Sequence, residues 1–262
     1  MNESPLLIKT DNQGICTLTL NRPKIHNAFD DILIAELCSA LEKIDSDLLI
    51  KVVLLTAAGD HFSVGADLQW MQRMANYSMD ENRKDALKLV KLMNVLNTLS
   101  KPTIAVVQGA SFGGGVGLIA CCDIAISAES ASFCLSEVKL GLIPAVISPY
   151  IVAAMGQRAA RRYCLSGERF DAKEAYRVGL IHQLAADNTV YNTAKSLAEL
   201  LLKNAPRAMS EAKALIARVA HRAHEETLLH ETADIIARLR SSEEGKEGVS
   251  AFLEKRKPRW MA

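Results

Sequence analysis

Residues 101–149 leave this chain few folds to choose from. Two short runs with apolar centres, 103–108 around Ile104–Val107 and 123–127 around Ile124–Ile126, bracket the glycine-rich segment GASFGGGVG at 109–117. An apolar run without polar alternation reads as a strand covered on both faces of a sheet. Glycines directly after a strand let a helix begin close against it. Strand–helix–strand in so short a span is the crossover of a parallel sheet, which is right-handed in nearly all proteins. The fold class expected is therefore α/β. A single glutamate, Glu137, follows within an otherwise apolar stretch.

The flanking sequence agrees with that class. Residues 6–9 and 15–20 flank a polar turn and read as a hairpin, ended by Pro23, which cannot donate to a ladder. Ile34, Leu37, Leu41 and Ile44 recur at helical spacing over 30–44, with Asp30 or Asp31 as cap. Residues 52–56 form another apolar strand, and after a loop at 57–62 a helix begins within 63–68. An amphipathic helix over 80–100 carries the stripe Ala86, Leu89, Val90, Met93 and Leu96, and Pro102 stops it. Beyond Gly141 strands become scarce. Helices are expected over 149–155, 159–166, 172–178, 188–203, 206–219, 226–239 and 243–255. The chain thus divides into a core at residues 1–200 and a C-terminal helical region at 201–262.

Charge and composition exclude several roles. Among the 262 residues, 31 basic side chains oppose 30 acidic ones, a net charge of +1. This gives no support to a nucleic-acid groove or a polybasic membrane patch. No apolar run approaches the ~18 residues that span a bilayer, and the polar start MNESPLLIKTDNQG does not resemble a targeting peptide. Six scattered cysteines without CxxC spacing read as reduced, buried thiols, so the expected compartment is the cytoplasm. His221 and His224 lie three apart, but no HExxH pattern or carboxylate cluster accompanies them, and no metal is expected.

The glycine cluster is not a nucleotide loop. It lacks the Gly-x-Gly-x-x-Gly order with a downstream acid, and the Gly-Lys-Ser/Thr of a phosphate loop. Two other readings stand. Glycines allow the helix to pack closely on the strand, or they open the helix N-terminus, whose first N–H groups have no intrahelical partner, to a ligand. A second such terminus occurs at Gly65-Ala66. Two N–H groups from separate segments converging on one oxygen make an oxyanion hole. From the residues alone, Glu137 is either a surface residue at a strand end or a buried functional acid.

Ser63-Val64-Gly65-Ala66-Asp67-Leu68 and Gly109-Ala110-Ser111-Phe112-Gly113-Gly114-Gly115 resemble the two signature segments of the enoyl-CoA hydratase/isomerase (crotonase) family. Leu20 through Lys24 with Asn27-Ala28, Cys122 through Ile126, and Glu247-Gly248 with Phe252 through Lys257 extend the resemblance over nearly the whole chain. It implies a spiral of ββα turns followed by a helical trimerisation region, assembled as a homotrimer or a hexamer built as a dimer of trimers. It implies that the N–H groups of Ala66 and Gly114 bind a thioester oxygen and that Glu137 is the acid–base group. It places an acyl-CoA substrate against Lys24, Ala28, Ala66 and Leu68, with Phe252 and Lys255 reaching the coenzyme A, often from a neighbouring subunit. No cofactor is implied, since coenzyme A is part of the substrate. Trp70 and the methionines Met71, Met74, Met79 and Met93 would line the acyl pocket or the core, and His26 and His61 are weaker acid–base candidates near the site.

One position departs from the pattern. Family hydratases carry a second glutamate one helical turn into the glycine helix, and here that place is Gly117. Glu137 would then act alone on water and on the α-carbon. Alternatively Ser111, Ser148, Tyr150 or the substrate would help to hold the water, or the enzyme would shift a double bond, for which one base suffices. The smaller residue suggests room for a branched or carboxylated acyl group. Residues 114–122 and 136–149 look most like bacterial methylglutaconyl-CoA hydratases. The expected function is hydration of a 2-enoyl-CoA, with 3-methylglutaconyl-CoA as a specific substrate. A Δ3-Δ2 enoyl-CoA isomerase and a non-catalytic acyl-CoA-binding protein are the alternatives.

Overall fold

The computed structural model describes residues 4–220, 222–223 and 225–261; His221 and His224, weighed above as metal ligands, lie outside the described residues. The N-terminal hairpin forms as expected, with β1 (Leu6–Thr10) antiparallel to β2 (Ile15–Leu20). Asp30 accepts the Leu33 N–H at 2.8 Å and starts α1 (Asp31–Ser46), which leads to β3 (Val52–Ala57). A short α2 (Leu68–Met74) precedes α3 (Met79–Thr98), whose start is fixed by a reciprocal capping box between Ser78 and Glu81. Then come β4 (Thr103–Val107), β5 (Ala110–Phe112), α4 (Gly114–Cys121), β6 (Ile124–Ala128) and β7 (Ser132–Cys134).

The second half is mainly helical, as its sequence suggests. Helix α5 (Ser148–Ser166) breaks at Gly156, whose φ of 74° is open to glycine. It corresponds to the two helices expected at 149–155 and 159–166. Next are β8 (Arg169–Asp171), α6 (Ala172–Arg177), β9 (Gln183–Ala185), α7 (Val190–Leu201), α8 (Pro206–Val219), α9 (Glu226–Ser241) and α10 (Glu243–Leu253).

Six strands make the main sheet, in the order β1-β2-β3-β4-β6-β9, parallel from β2 onward. Its central strands are apolar along most of their length because both faces are covered. On β3, Val53 and Leu55 join a core built with α1, α3 and α4, while Val52 and Leu54 join a second core with Ala194 and Ala198 of α7. Ala105 and Val107 against Ile104 and Val106 repeat the alternation on β4. The small strands β5, β7 and β8 form a second sheet. Its first strand, β5, carries the chain from the end of β4 to the start of α4.

One polar link ties α8 to the sheet, and another closes the C-terminal region on itself. Asp123 accepts the Thr103 N–H (2.8 Å) and hydroxyl (2.9 Å) and also Lys213 Nζ of α8 (2.8 Å). Glu247 of α10 accepts two bonds from Arg256, and the hydrogen bonds from this arginine hold its carboxyl down at about 2. That link therefore contributes stability above the ordinary glutamate range and loses it as pH falls toward 2. Ile216, Leu229, Val249, Phe252 and Leu253 on these helices stay exposed within the single chain.

Candidate active site

The site is assembled by backbone bonds that converge on Phe29. The Phe29 N–H donates to the Gly65 carbonyl at 2.7 Å, and the Asp67 N–H donates to the Phe29 carbonyl at 2.6 Å. Ala66 is thereby held from both sides, yet its own N–H meets no protein acceptor among the described residues. Gly65 reaches this geometry at φ 94°, a left-handed value that suits glycine. The Phe29 ring also packs over Gly114, where a Cβ would lie 2.9 Å from ring carbon Cε2. One buried phenylalanine thus fastens both glycine segments.

Further bonds hold the frame. Phe112 donates its N–H to the Ser63 carbonyl at 2.8 Å, and the Ser63 hydroxyl donates to the Asn27 carbonyl at 2.8 Å. Asn27 Nδ2 donates to the carbonyls of Ala58 and His61, 2.8 Å each, and Asn27 Oδ1 accepts the Arg22 N–H. Arg22 reaches the Ala28 carbonyl (2.8 Å), Asp30 (2.9 Å) and Asp67 (3.2 Å). Asp67 in turn caps α2. Fully hydrogen-bonded buried networks of this kind hold one geometry firmly.

Gly114 is the first residue of α4, so its N–H has no intrahelical partner; among the described residues it meets no other protein acceptor. Both free donors, Ala66 N–H and Gly114 N–H, belong to segments joined through Phe29. Two preorganised N–H groups of this type, one at a helix terminus, bind an oxygen that gains negative charge.

Glu137 opens a 3-10 turn that ends at Leu140. Its carboxylate lies against Gly113, where a Cβ would come within 3.1 Å of Oε1. Oε2 is buried and has no hydrogen-bond partner among the described residues. Burial pushes the Glu137 carboxyl above its ordinary value, opposed by a bond from its own backbone. Of the two readings left open by the sequence, the functional acid fits an unpartnered, half-buried carboxylate next to the free Gly114 donor.

The remaining residues fall into two groups. Ala28 is buried beside Phe29, while Lys24 and Leu68 are exposed at the rim of the same loops. Phe252 is 82% exposed, and Lys255 takes a left-handed turn (φ 54°) just past α10. Helix α10, which carries Phe252 and leads to Lys255, packs on α8 and α9, and among the described residues no hydrogen bond joins it to the Ala66–Gly114 frame.

Gly117 differs from the expectation. The space its missing side chain leaves is filled: a Cβ there would lie 2.2 Å from Ile147 Cγ2 and 3.3 Å from Met93 Cε. The glycine makes room for Ile147, not for a bulky acyl group. Of the groups considered for holding water, the Ser148 hydroxyl donates to the Ala145 carbonyl and the Ser111 hydroxyl is buried without a partner among the described residues. His61 has a framework role, since its Nδ1 accepts the Ala110 N–H at 3.2 Å. Phe29 and Ile147 carried no signal in the sequence beyond being apolar.

Comparison with known proteins agrees with this geometry. The family model described as enoyl-CoA hydratase/isomerase matches residues 10–262. The chain is 46% identical to a crystal structure of an enoyl-CoA hydratase from Shewanella pealeana, with a TM-score of 0.95, covering 98% of this chain and 96% of that one. It is 32% identical to the short-chain-enoyl-CoA hydratase of Clostridium acetobutylicum, over 93% of this chain and 92% of that protein. It is 30% identical to a mitochondrial Delta(3,5)-Delta(2,4)-dienoyl-CoA isomerase of Dictyostelium discoideum, over 96% and 89%. By sequence, fold and the arrangement of its two glycine segments, the chain belongs to the enoyl-CoA hydratase/isomerase (crotonase) family.

Proposed function

We propose that this protein adds water across the double bond of a 2-enoyl-CoA thioester, with Glu137 as its single acid–base group. The observation that carries this is the unpartnered, buried Oε2 of Glu137 next to the glycine segment that presents the Gly114 N–H. The thioester oxygen accepts the N–H groups of Ala66 and Gly114. As a water oxygen bonds to the β-carbon, Glu137 takes one of its protons and negative charge moves to the thioester oxygen. The protonated Glu137 then delivers that proton to the α-carbon, and the enolate collapses to the 3-hydroxyacyl thioester. Both additions occur on the face where the carboxylate lies.

Several relatives support the reading, being hydratases by name, with acyl groups from short-chain to 2,3-dehydroadipyl. 3-Methylglutaconyl-CoA is the first branched substrate to assay, on the likeness of residues 114–122 and 136–149. Room at Gly117 no longer argues for it. A second reading, the Δ3-Δ2 isomerase, is favoured by the apolar filling at Gly117, since a double-bond shift requires one base and no water. Assembly as a trimer or a dimer of trimers accords with the exposed Val249, Phe252 and Leu253, and would carry Phe252 and Lys255 to a neighbour's coenzyme A.

Parallel assays with a 2-enoyl-CoA and its 3-enoyl isomer, following the conjugated thioester absorbance, separate the readings. Hydration removes absorbance from the first, and isomerisation creates it from the second. Turnover of neither overturns both. The pH profile adds a sign. Glu137 must be ionised to accept a proton, so kcat/KM falls on acidification through a pKa above the ordinary glutamate value. The same shift has the opposite sense for stability: its contribution is present at low pH and is lost as pH rises through the folded-state value.

A further inference from the structure

Two glycines, Gly113 at the cap of α4 and Gly117 within it, have different neighbours. The Gly117 N–H bonds the Gly113 carbonyl at 3.2 Å, so the two stand one helical turn, ~5.4 Å, apart along the axis. The Glu137 carboxylate lies over the first and Ile147 Cγ2 over the second. The 3-10 turn bearing Glu137 packs against α5, and Ile147 is the residue that leads into α5. Ile147 is 3% exposed and shares its contact at Gly117 with Met93, which is fully buried. One turn along from the glycine under the reacting carboxylate, the surface of α4 is therefore covered by hydrocarbon, Ile147 at the start of α5 and Met93 of α3.

We propose that Ile147 is a specificity-determining residue: its γ-methyl over Gly117 walls off the side of the site next to Glu137 and sets how the glutamate divides its work between water addition and double-bond shift. This rests on the reading of Glu137 given above. In a shift, Glu137 takes a proton from the α-carbon of a 3-enoyl thioester and returns it to the γ-carbon, and no other reactant enters. In hydration, one water is consumed, its hydroxyl bonding to the β-carbon and its proton passing through Glu137 to the α-carbon. Only the second path requires a water held beside the carboxylate. A hydrocarbon wall offers that water no hydrogen bond, and so penalises hydration selectively.

The side-chain chemistry supplies the test. Valine keeps the γ-carbon that fills Gly117, alanine removes it, and threonine keeps a γ-methyl while adding a hydroxyl. Each variant is assayed with crotonyl-CoA and with a 3-enoyl-CoA. Ile147→Ala is expected to raise the ratio of hydration to isomerisation about tenfold, the scale of a one- or two-carbon change in an apolar pocket. The acid limb of its pH profile should move to lower pH as water reaches Glu137. Ile147→Val should keep the ratio within about twofold of wild type by the same scale. Where the alanine variant does not fold, as read by circular dichroism, the threonine variant is expected to raise the ratio in the same direction. A folded alanine or threonine variant whose ratio and acid limb match wild type overturns the proposal. A wild type inactive on both substrates overturns the underlying function instead.

Discussion

Replacing Glu137 by glutamine is expected to lower kcat by ~10³–10⁴-fold on whichever enoyl thioester the wild type uses, with little change in melting temperature. Positioned acid–base groups contribute about 10²–10⁴-fold. The upper part of that range is expected because no second carboxylate shares the work: the place one turn along α4 is Gly117, filled by Ile147. Glutamine keeps the size of the side chain and its place over Gly113, but it cannot take up a proton. The amide also avoids the cost of a buried charge, since burial already disfavours the ionised form of Glu137. Activity and stability should therefore separate. Steady-state kinetics with a thermal melt of the same preparation checks both.

The second large effect concerns a donor that no side-chain deletion can reach. Gly114→Pro removes the N–H at the first position of α4, a place where proline suits helix geometry. Any Cβ at 114 also presses on Phe29, at 2.9 Å, and Gly114→Ala carries that steric cost while keeping the N–H. The comparison of the two variants separates the loss of the N–H, together with the ring carbon that takes its place, from the pressure of a Cβ on Phe29. Proline is expected to fall ~10²–10³-fold below alanine in kcat, equivalent to about 3–4 kcal/mol of transition-state stabilisation. Equal activity in the two would remove Gly114 from the oxyanion hole. Because Phe29 also fixes Ala66 through its backbone, the alanine variant by itself should lose some activity.

Legibility from sequence followed the physics of each feature. The central strands were readable because burial on both faces leaves apolar residues in succession without polar alternation, and 52–56 and 103–108 lie within a residue of β3 and β4. Helices α1 and α3 announced themselves by periodicity, α1 also by its aspartate cap and α3 by the proline that stops it. The three-residue strands β5, β7 and β8 did not, because so short a ladder has no period to detect and exists only through tertiary pairing. At the site, glycine and glutamate were conspicuous as residue types that an apolar segment needs a reason to contain. Phe29 was invisible: a phenylalanine looks the same whether it fills a core or fastens two loops. The meaning of Gly117 was misjudged for a related reason. A glycine records that something comes close, and only the fold shows that the neighbour is Ile147, 30 residues away in sequence.

Deuterium tracing tests the central claim, that one carboxylate handles both ends of the addition. The enzyme is allowed to convert crotonyl-CoA in deuterated water, and the product is examined by NMR. A single glutamate that takes a deuteron from water and returns it to the α-carbon must place deuterium and hydroxyl on the same face. The predicted product is 3-hydroxybutyryl-CoA with one deuterium at the α-carbon, syn to the new hydroxyl. Product with deuterium on the opposite face, or scrambled between the two, would contradict it.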